Sequence, residues 1–306
     1  KPFVGIDLAL NGETTKQVVM PGGATVRADV VWVNNLPNTL SNLVIQAKLS
    51  GVGLNPASVA VPNGFYRSAD NTIIWDKQAL PQFASLDPGA SGTLQFSFAP
   101  FPLGSGGASL RNPSVTVSVT VSANRRGENN VPEEITSVVE KKAVFASDLI
   151  LRSAAVYSIG PFQNSGSLPP KANKETTYTI LWSLSNSSNA VSRARVSATL
   201  PPYVRFIGAA GGAPVTANPI GGTITWDVGS VPAGAGFSLP PKEAAFQVAF
   251  LPSVSQVGTT PILLNAPSVT GDDQFTGTQV LSGANATTID TTTDPLYKGG
   301  EGVVVQ

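Results

Sequence analysis

Ala24-Thr25-Val26-Arg27-Ala28-Asp29-Val30-Val31-Trp32 decides the fold class. Successive side chains of an extended chain point to opposite faces, so Ala24, Val26, Ala28, Val30 and Trp32 share one side while Thr25, Arg27 and Asp29 share the other. One face is apolar enough to bury and the other polar enough to meet water, which is the pattern of a half-buried antiparallel strand. The same period runs through Leu94, Phe96 and Phe98 against Thr93, Gln95 and Ser97, and through Val115, Val117, Val119 and Val121 against Thr116, Ser118 and Thr120. No stretch longer than about ten residues carries helical spacing. Pro or Gly punctuates the chain every strand or two.

The pattern recurs. Thr176, Tyr178, Ile180, Trp182 and Leu184 repeat the inward face, which sets Trp182 against Trp32 at an offset of 150 residues. Leu43 to Leu49 then matches Ala194 to Leu200, and Asn71-Thr72-Ile73-Ile74-Trp75-Asp76 matches Gly222-Thr223-Ile224-Thr225-Trp226-Asp227 at 151. Phe98-Ala99-Pro100 matches Phe250-Leu251-Pro252 at 152, and Asn112-Pro113-Ser114-Val115 recurs as Ala266-Pro267-Ser268-Val269. Landmarks in one order at one spacing predict one domain present twice. About seven or eight short strands per copy predict an all-β chain of two tandem immunoglobulin-like antiparallel β-sandwich domains. The expected bounds are residues 1–146 for the first copy and 147–295 for the second, with 296–306 a C-terminal tail or extra strand. The four tryptophans read as inward core anchors rather than exposed sugar-stacking platforms.

Composition narrows the chemistry. The 306 residues contain no Cys and no His, which removes disulfides, thiolate metal sites, histidine bases and the Ser-His and Cys-His nucleophile pairs. Carboxylate pairs, Ser-Lys dyads and oxygen-ligated hard cations stay open. Lys and Arg number 19 and so do Asp and Glu, with residues 1–147 at +1 and the rest at −1. The densest basic spots, Arg125-Arg126 and Lys141-Lys142, are isolated pairs, so no nucleic-acid partner is expected. No apolar run is long enough for a transmembrane segment. A chain opening at Lys1 without methionine suggests a processed product or a fragment.

Candidate sites are few. Gly271-Asp272-Asp273-Gln274-Phe275-Thr276-Gly277 sets two carboxylates in one loop, a candidate for a structural calcium, although a solvated turn is the weightier reading. Asp290-Thr291-Thr292 lacks the Gly and the second partner of an aspartic-protease loop. Gly104-Ser105-Gly106-Gly107 and Gly208-Ala209-Ala210-Gly211-Gly212 lack the Lys-Ser/Thr of a phosphate loop. Asn186-Ser187-Ser188 and Asn285-Ala286-Thr287 fit the N-glycosylation sequon. Lys48 has outward parity, so it offers no buried lysine for an isopeptide crosslink. The residues therefore assign no catalytic, cofactor-binding or metal-binding side chain, and the chain is expected not to be an enzyme and to carry no cofactor.

Four segments carry a resemblance: Asn186 to Asn189, Thr199-Leu200-Pro201-Pro202-Tyr203-Val204, Ile224-Thr225-Trp226-Asp227 and Phe246-Gln247-Val248-Ala249-Phe250. In them the chain resembles the tandem conserved repeat domains of unknown function found in large prokaryotic cell-surface proteins. It is most similar to those of uncultivated bacteria with small genomes. The first copy departs from that pattern, with Leu49-Ser50-Gly51 where the Thr-Leu-Pro segment would stand. The resemblance implies an extracellular, cell-surface location and a structural or adhesive role, and brings no catalytic residues. Two further roles stand beside it: a self-assembling subunit of a surface layer or filament, and an adhesin for carbohydrate or protein that uses exposed rings such as Phe65-Tyr66 or Tyr203. The expected partners are other domains or copies of the same surface protein, the cell wall or a host surface. Lys1 to Leu10 and Glu301 to Gln306 can both extend, so either end could add a strand to a neighbour.

Overall fold

The alternating segments pair into ladders because each leaves one face to bury and one row of main-chain groups to satisfy. In the computed structural model, which describes residues 3–102, 110–126 and 132–306, the chain divides into two compact units that meet between Ala146 and Ser147.

The first unit holds β1 (Val4–Leu10), β2 (Gln17–Met20), β3 (Val26–Asn34), β4 (Leu40–Ser50), β5 (Phe65–Arg67), β6 (Thr72–Trp75), β7 (Ser85–Leu86), β8 (Ser91–Phe98), β9 (Ser114–Arg126) and β10 (Pro132–Phe145). One sheet has the order β1-β3-β8 and the other β2-β10-β9-β4-β6-β5, with β7 also on β4. Inward residues of both sheets form one core. Leu8, Val26, Val30, Ile45, Trp75, Phe96, Val119 and Phe145 are all buried in it. The Trp32 indole meets Phe83 edge-on at 5.3 Å, and Trp75 lies 5.9 Å from Phe96. One pairing departs from the antiparallel expectation: β2 runs parallel to β10.

The second unit holds β11 (Leu149–Val156), β12 (Thr176–Asn186), β13 (Val191–Thr199), β14 (Val204–Ala209), β15 (Val215–Asn218), β16 (Thr223–Val231), β17 (Lys242–Phe250), β18 (Ile262–Leu264), β19 (Ser268–Asp273), β20 (Gln279–Gly283) and β21 (Thr287–Thr288). Its sheets run β11-β12-β17-β14 and β15-β16-β13-β19-β20, with β18 paired to β21. The orders β1-β3-β8 and β10-β9-β4-β6-β5 of the first unit thus reappear as β11-β12-β17 and β20-β19-β13-β16-β15. The parallel β2 belongs to the first unit, and β14 to the second.

Register corrects one of the sequence matches and refines another. Asn34 gives its main-chain N–H to Ala90 and accepts from Gly89, and Asn186 does the same with Ala235 and Gly234. These two asparagines stand 152 apart, while the ladders keep the tryptophans at 150, because Trp32 faces Gly92, six residues before Phe98, and Trp182 faces Ala244, six before Phe250. Trp32 stands two residues before its asparagine and Trp182 four before its own, so β12 runs one inward position further than β3 before its asparagine. On the other sheet Val196 lies opposite Val269 and Ile45 opposite Val121, so Val269 answers to Val121 rather than to Val115.

Candidate functional site

Asp273 ends β19 and is 1% exposed. Its Oδ2 accepts the Ser147 N–H at 2.7 Å and Asn189 Nδ2 at 2.8 Å, and its Oδ1 accepts the N–H groups of Phe275 and Thr276, both at 2.9 Å. With both oxygens so engaged, the carboxylate is a staple between two loops. Asp272 points the other way and pairs with Arg193. Among the described residues no cluster of three or more acidic side chains could hold a metal ion. The neighbours complete a buried polar knot. Ser147 Oγ donates to Asn186 Oδ1 at 2.5 Å and accepts the N–H groups of Ser188 and Asn189, both at 3.0 Å. Asn186 Nδ2 donates to the carbonyls of Asn189, Val231 and Pro232 at 2.7, 3.1 and 3.2 Å. One of the two sequons is therefore a buried structural asparagine, and Asn285 of the other is exposed.

The first unit repeats the device. Asn34 Nδ2 donates to the carbonyls of Asn38, Leu86 and Asp87 at 3.1, 3.2 and 3.1 Å, tying the β3–β4 turn to the segment entering β8. The signal in the sequence was an asparagine on the inward parity of an apolar strand.

Lys141 was missed. It shares the inward parity of Ala143 and Phe145, is buried, and donates its ammonium to the carbonyls of Thr14 and Thr15 beside β2. Those carbonyls are acceptors and no substrate for a crosslink, and Lys48 is exposed as its parity implied. The rings proposed for binding do not form a cluster. Phe65 is 62% exposed on the edge strand β5. The Tyr66 hydroxyl donates to Asn71 Oδ1 at 2.7 Å, and beside it the Arg67 guanidinium bonds Asp70 and holds its carboxyl down at about 2. Tyr203, in the second unit, packs edge-on against Phe250 at 5.8 Å.

Both described ends are engaged. Val4–Leu10 pairs along its length with β3. Val304 is buried, its N–H donates to the Thr259 carbonyl, and Val305 bonds Pro170 and Ala172 on either side. The C-terminal segment is thereby held within its own unit, while β1 is an edge strand of its sheet. Asp290 is exposed while Thr291 is buried, and Gly208–Gly212 forms the end of β14 and the turn after it. Gly104-Ser105-Gly106-Gly107 lies outside the described residues.

Three of the recesses among the described residues bear on binding. One in the second unit, about 720 Å³, lies on the outer face of β11, β12 and β17 among Ala154, Leu181, Ser183 and Ala245, flanked by Arg152 and Glu243. Another carries Arg193 and Arg195, each already paired to an aspartate. The third, in the first unit, runs beside β8 for about 660 Å³ and is walled by Trp32, Leu80, Leu86 and Leu94. Gly92 has no side chain here because the Trp32 ring lies 2.8 Å from where a Cβ would stand.

No family model and no curated protein matches the chain. Among solved structures it is similar to the C-terminal domain of the Streptococcus pyogenes antigen I/II-family protein AspA, at 9% identity and a TM-score of 0.35, over 94% of this chain and 99% of that one. It is similar too to the 35 kDa C-terminal fragment of the Streptococcus agalactiae major pilin GBS80, at 8% identity and 0.29, over 92% and 91%. The Bacillus cereus major pilin subunit BcpA gives 10% and 0.31, over 95% of this chain and 68% of that one.

Proposed function

We propose that this chain is a non-catalytic structural or adhesive module of an extracellular cell-surface protein, built from two tandem copies of one immunoglobulin-like sandwich. The observation that carries the reading is how its polar groups are spent. Asp273, Ser147, Asn186 and Asn34 each close loops onto their own unit, and the four tryptophans are buried to 4% or less. A chain without His or Cys, whose buried polar side chains tie loops and whose Arg–Asp pairs neutralise one another, is suited to bearing load and presenting surface. The common strand order supports the duplication, and repeated rigid modules are a means of spacing parts of a large exported protein. Its partners in this reading are other domains or copies of the same protein, the cell wall or a host surface.

Protease treatment of intact cells that make the protein tests this. Release of peptides cut at exposed sites such as Arg67 and Lys77 without lysis is the expected result. Recovery of those peptides only after lysis would contradict it.

A further inference from the structure

A strand lying at the edge of a sheet has half of its main-chain groups directed away from the sheet. On β8 those groups belong to the odd residues, because Ser97 exchanges both its N–H and its C=O with Ala60, at 3.0 and 2.9 Å, on the side away from β3. Further along, Ser58 Oγ accepts the Ala99 N–H at 2.8 Å and the Asn55 N–H reaches the Ala99 carbonyl. The edge is thus covered from Ser97 onward by the segment Asn55–Ala60.

The cover then stops, for a reason that can be read in the chain. Continuing the antiparallel bridge would set residue 62 against Gln95, and residue 62 is proline, which has no N–H to give. The chain turns away through Asn63, whose φ is +56°. The outward main-chain groups of Ser91, Thr93 and Gln95 are left without a main-chain partner among the described residues. The groove walled by Trp32, Leu80, Leu86 and Leu94 lies along this stretch, and among the described residues Asp87 is its one charged lining residue.

The second unit shows what sits on such an edge. There β14 pairs with β17 from Phe250 to Phe246, and the Ala210 N–H extends the contact to the Ala245 carbonyl. Phe206 turns inward onto Phe246 at 6.0 Å, supplying the apolar side chain. We infer that the groove beside Ser91–Gln95 accepts an extended strand from a different polypeptide, antiparallel to β8, with apolar residues at alternate positions and no net negative charge. The ladder supplies affinity, the apolar wall selects the alternation, and Asp87 disfavours an acidic occupant. Both described ends of this chain are held within their own units, so neither reaches the groove as its occupant. The inference places the adhesive part of the proposed function and rests on that reading only for where the partner is met.

The test uses a fluorescent peptide with the sequence of Tyr203–Ala210, the strand that fills the corresponding edge, titrated into the full chain and read by polarisation. Saturable binding is expected. N-methylation of the peptide on alternate residues facing β8 should weaken it about tenfold or more, and methylation of the intervening residues should leave it unchanged. T93P, which removes an outward N–H not used in the β3 ladder, should weaken binding to the same degree with the melting transition retained. The methylated peptides keep the test decisive if T93P misfolds. Absence of saturable binding, equal binding of a scrambled peptide, or indifference to methylation would overturn the inference. Self-association of the chain abolished by T93P would overturn it too, by making the occupant a second copy. Failure here leaves surface exposure untouched, and intracellular location would leave a measured peptide affinity standing.

Discussion

The indole rings of Trp182 and Trp226 stack across the two sheets of the second unit, centroids 6.3 Å apart and planes 23° from parallel, and Phe246 meets Trp182 edge-on at 4.9 Å. Both rings stand on the inward faces of their strands, Trp182 on β12 and Trp226 on β16. Truncation of a fully buried ring leaves a cavity that close-packed neighbours fill poorly, so W182A should cost the second unit about 3–5 kcal/mol in chemical denaturation. W32A, at the wall of the β8 groove and 4% exposed, should cost less.

Asp273 should matter as an acceptor and not as a ligand. D273A strands the buried N–H of Ser147 and the Asn189 amide, and each buried donor left unpaired costs about 1–3 kcal/mol. The second unit should unfold at markedly lower denaturant. Adding calcium or a chelator should leave the melting of the wild-type chain where it is, and a calcium-dependent rise would restore the cation reading of that loop.

Asn34 and Asn186 hold equivalent places, so N34A and N186A should destabilise their own units by similar amounts, about 2–4 kcal/mol from the lost carbonyl partners. Separate denaturation transitions, followed by tryptophan fluorescence in chains keeping the tryptophans of one unit, would read this out.

Asp294 makes the second unit acid-sensitive. Burial by itself pushes its carboxyl up, but the N–H groups of Leu296, Ser158, Tyr157 and Ile159 together hold it below the usual carboxylate range. A carboxyl depressed on folding contributes stability that is complete above its unfolded-chain value of about 3.9 and is lost as pH falls through the lower folded value. Stability should therefore drop as the pH is taken below about 4, and D294N should flatten that dependence.

What could be read from the chain was whatever a period of two encodes. Val26, Val30 and Trp32 declared their face, as did Val115 to Val121, and both strands lie where the alternation set them. What could not be read depends on partners far along the chain. Asp273 looked like a loop carboxylate because Ser147, 126 residues away, is what it binds. The equivalence of Asn34 and Asn186 lies in main-chain bonds to segments far along the chain. Lys141 carried a usable signal, inward parity, and Pro62 carried another, a residue unable to continue a ladder. The parallel pairing of β2 with β10 has no counterpart in local pattern.

Residue-resolved amide exchange on the intact chain probes most directly the claim that this closed framework offers a partner its open main-chain edge. The amides of Thr93 and Gln95 should exchange early while those of Leu94 and Phe96, turned toward β3, stay protected, and Gln247 and Ala249 under β14 should be protected as well. Equal protection at all four β8 positions would mean that the edge is already occupied, and the account would be wrong.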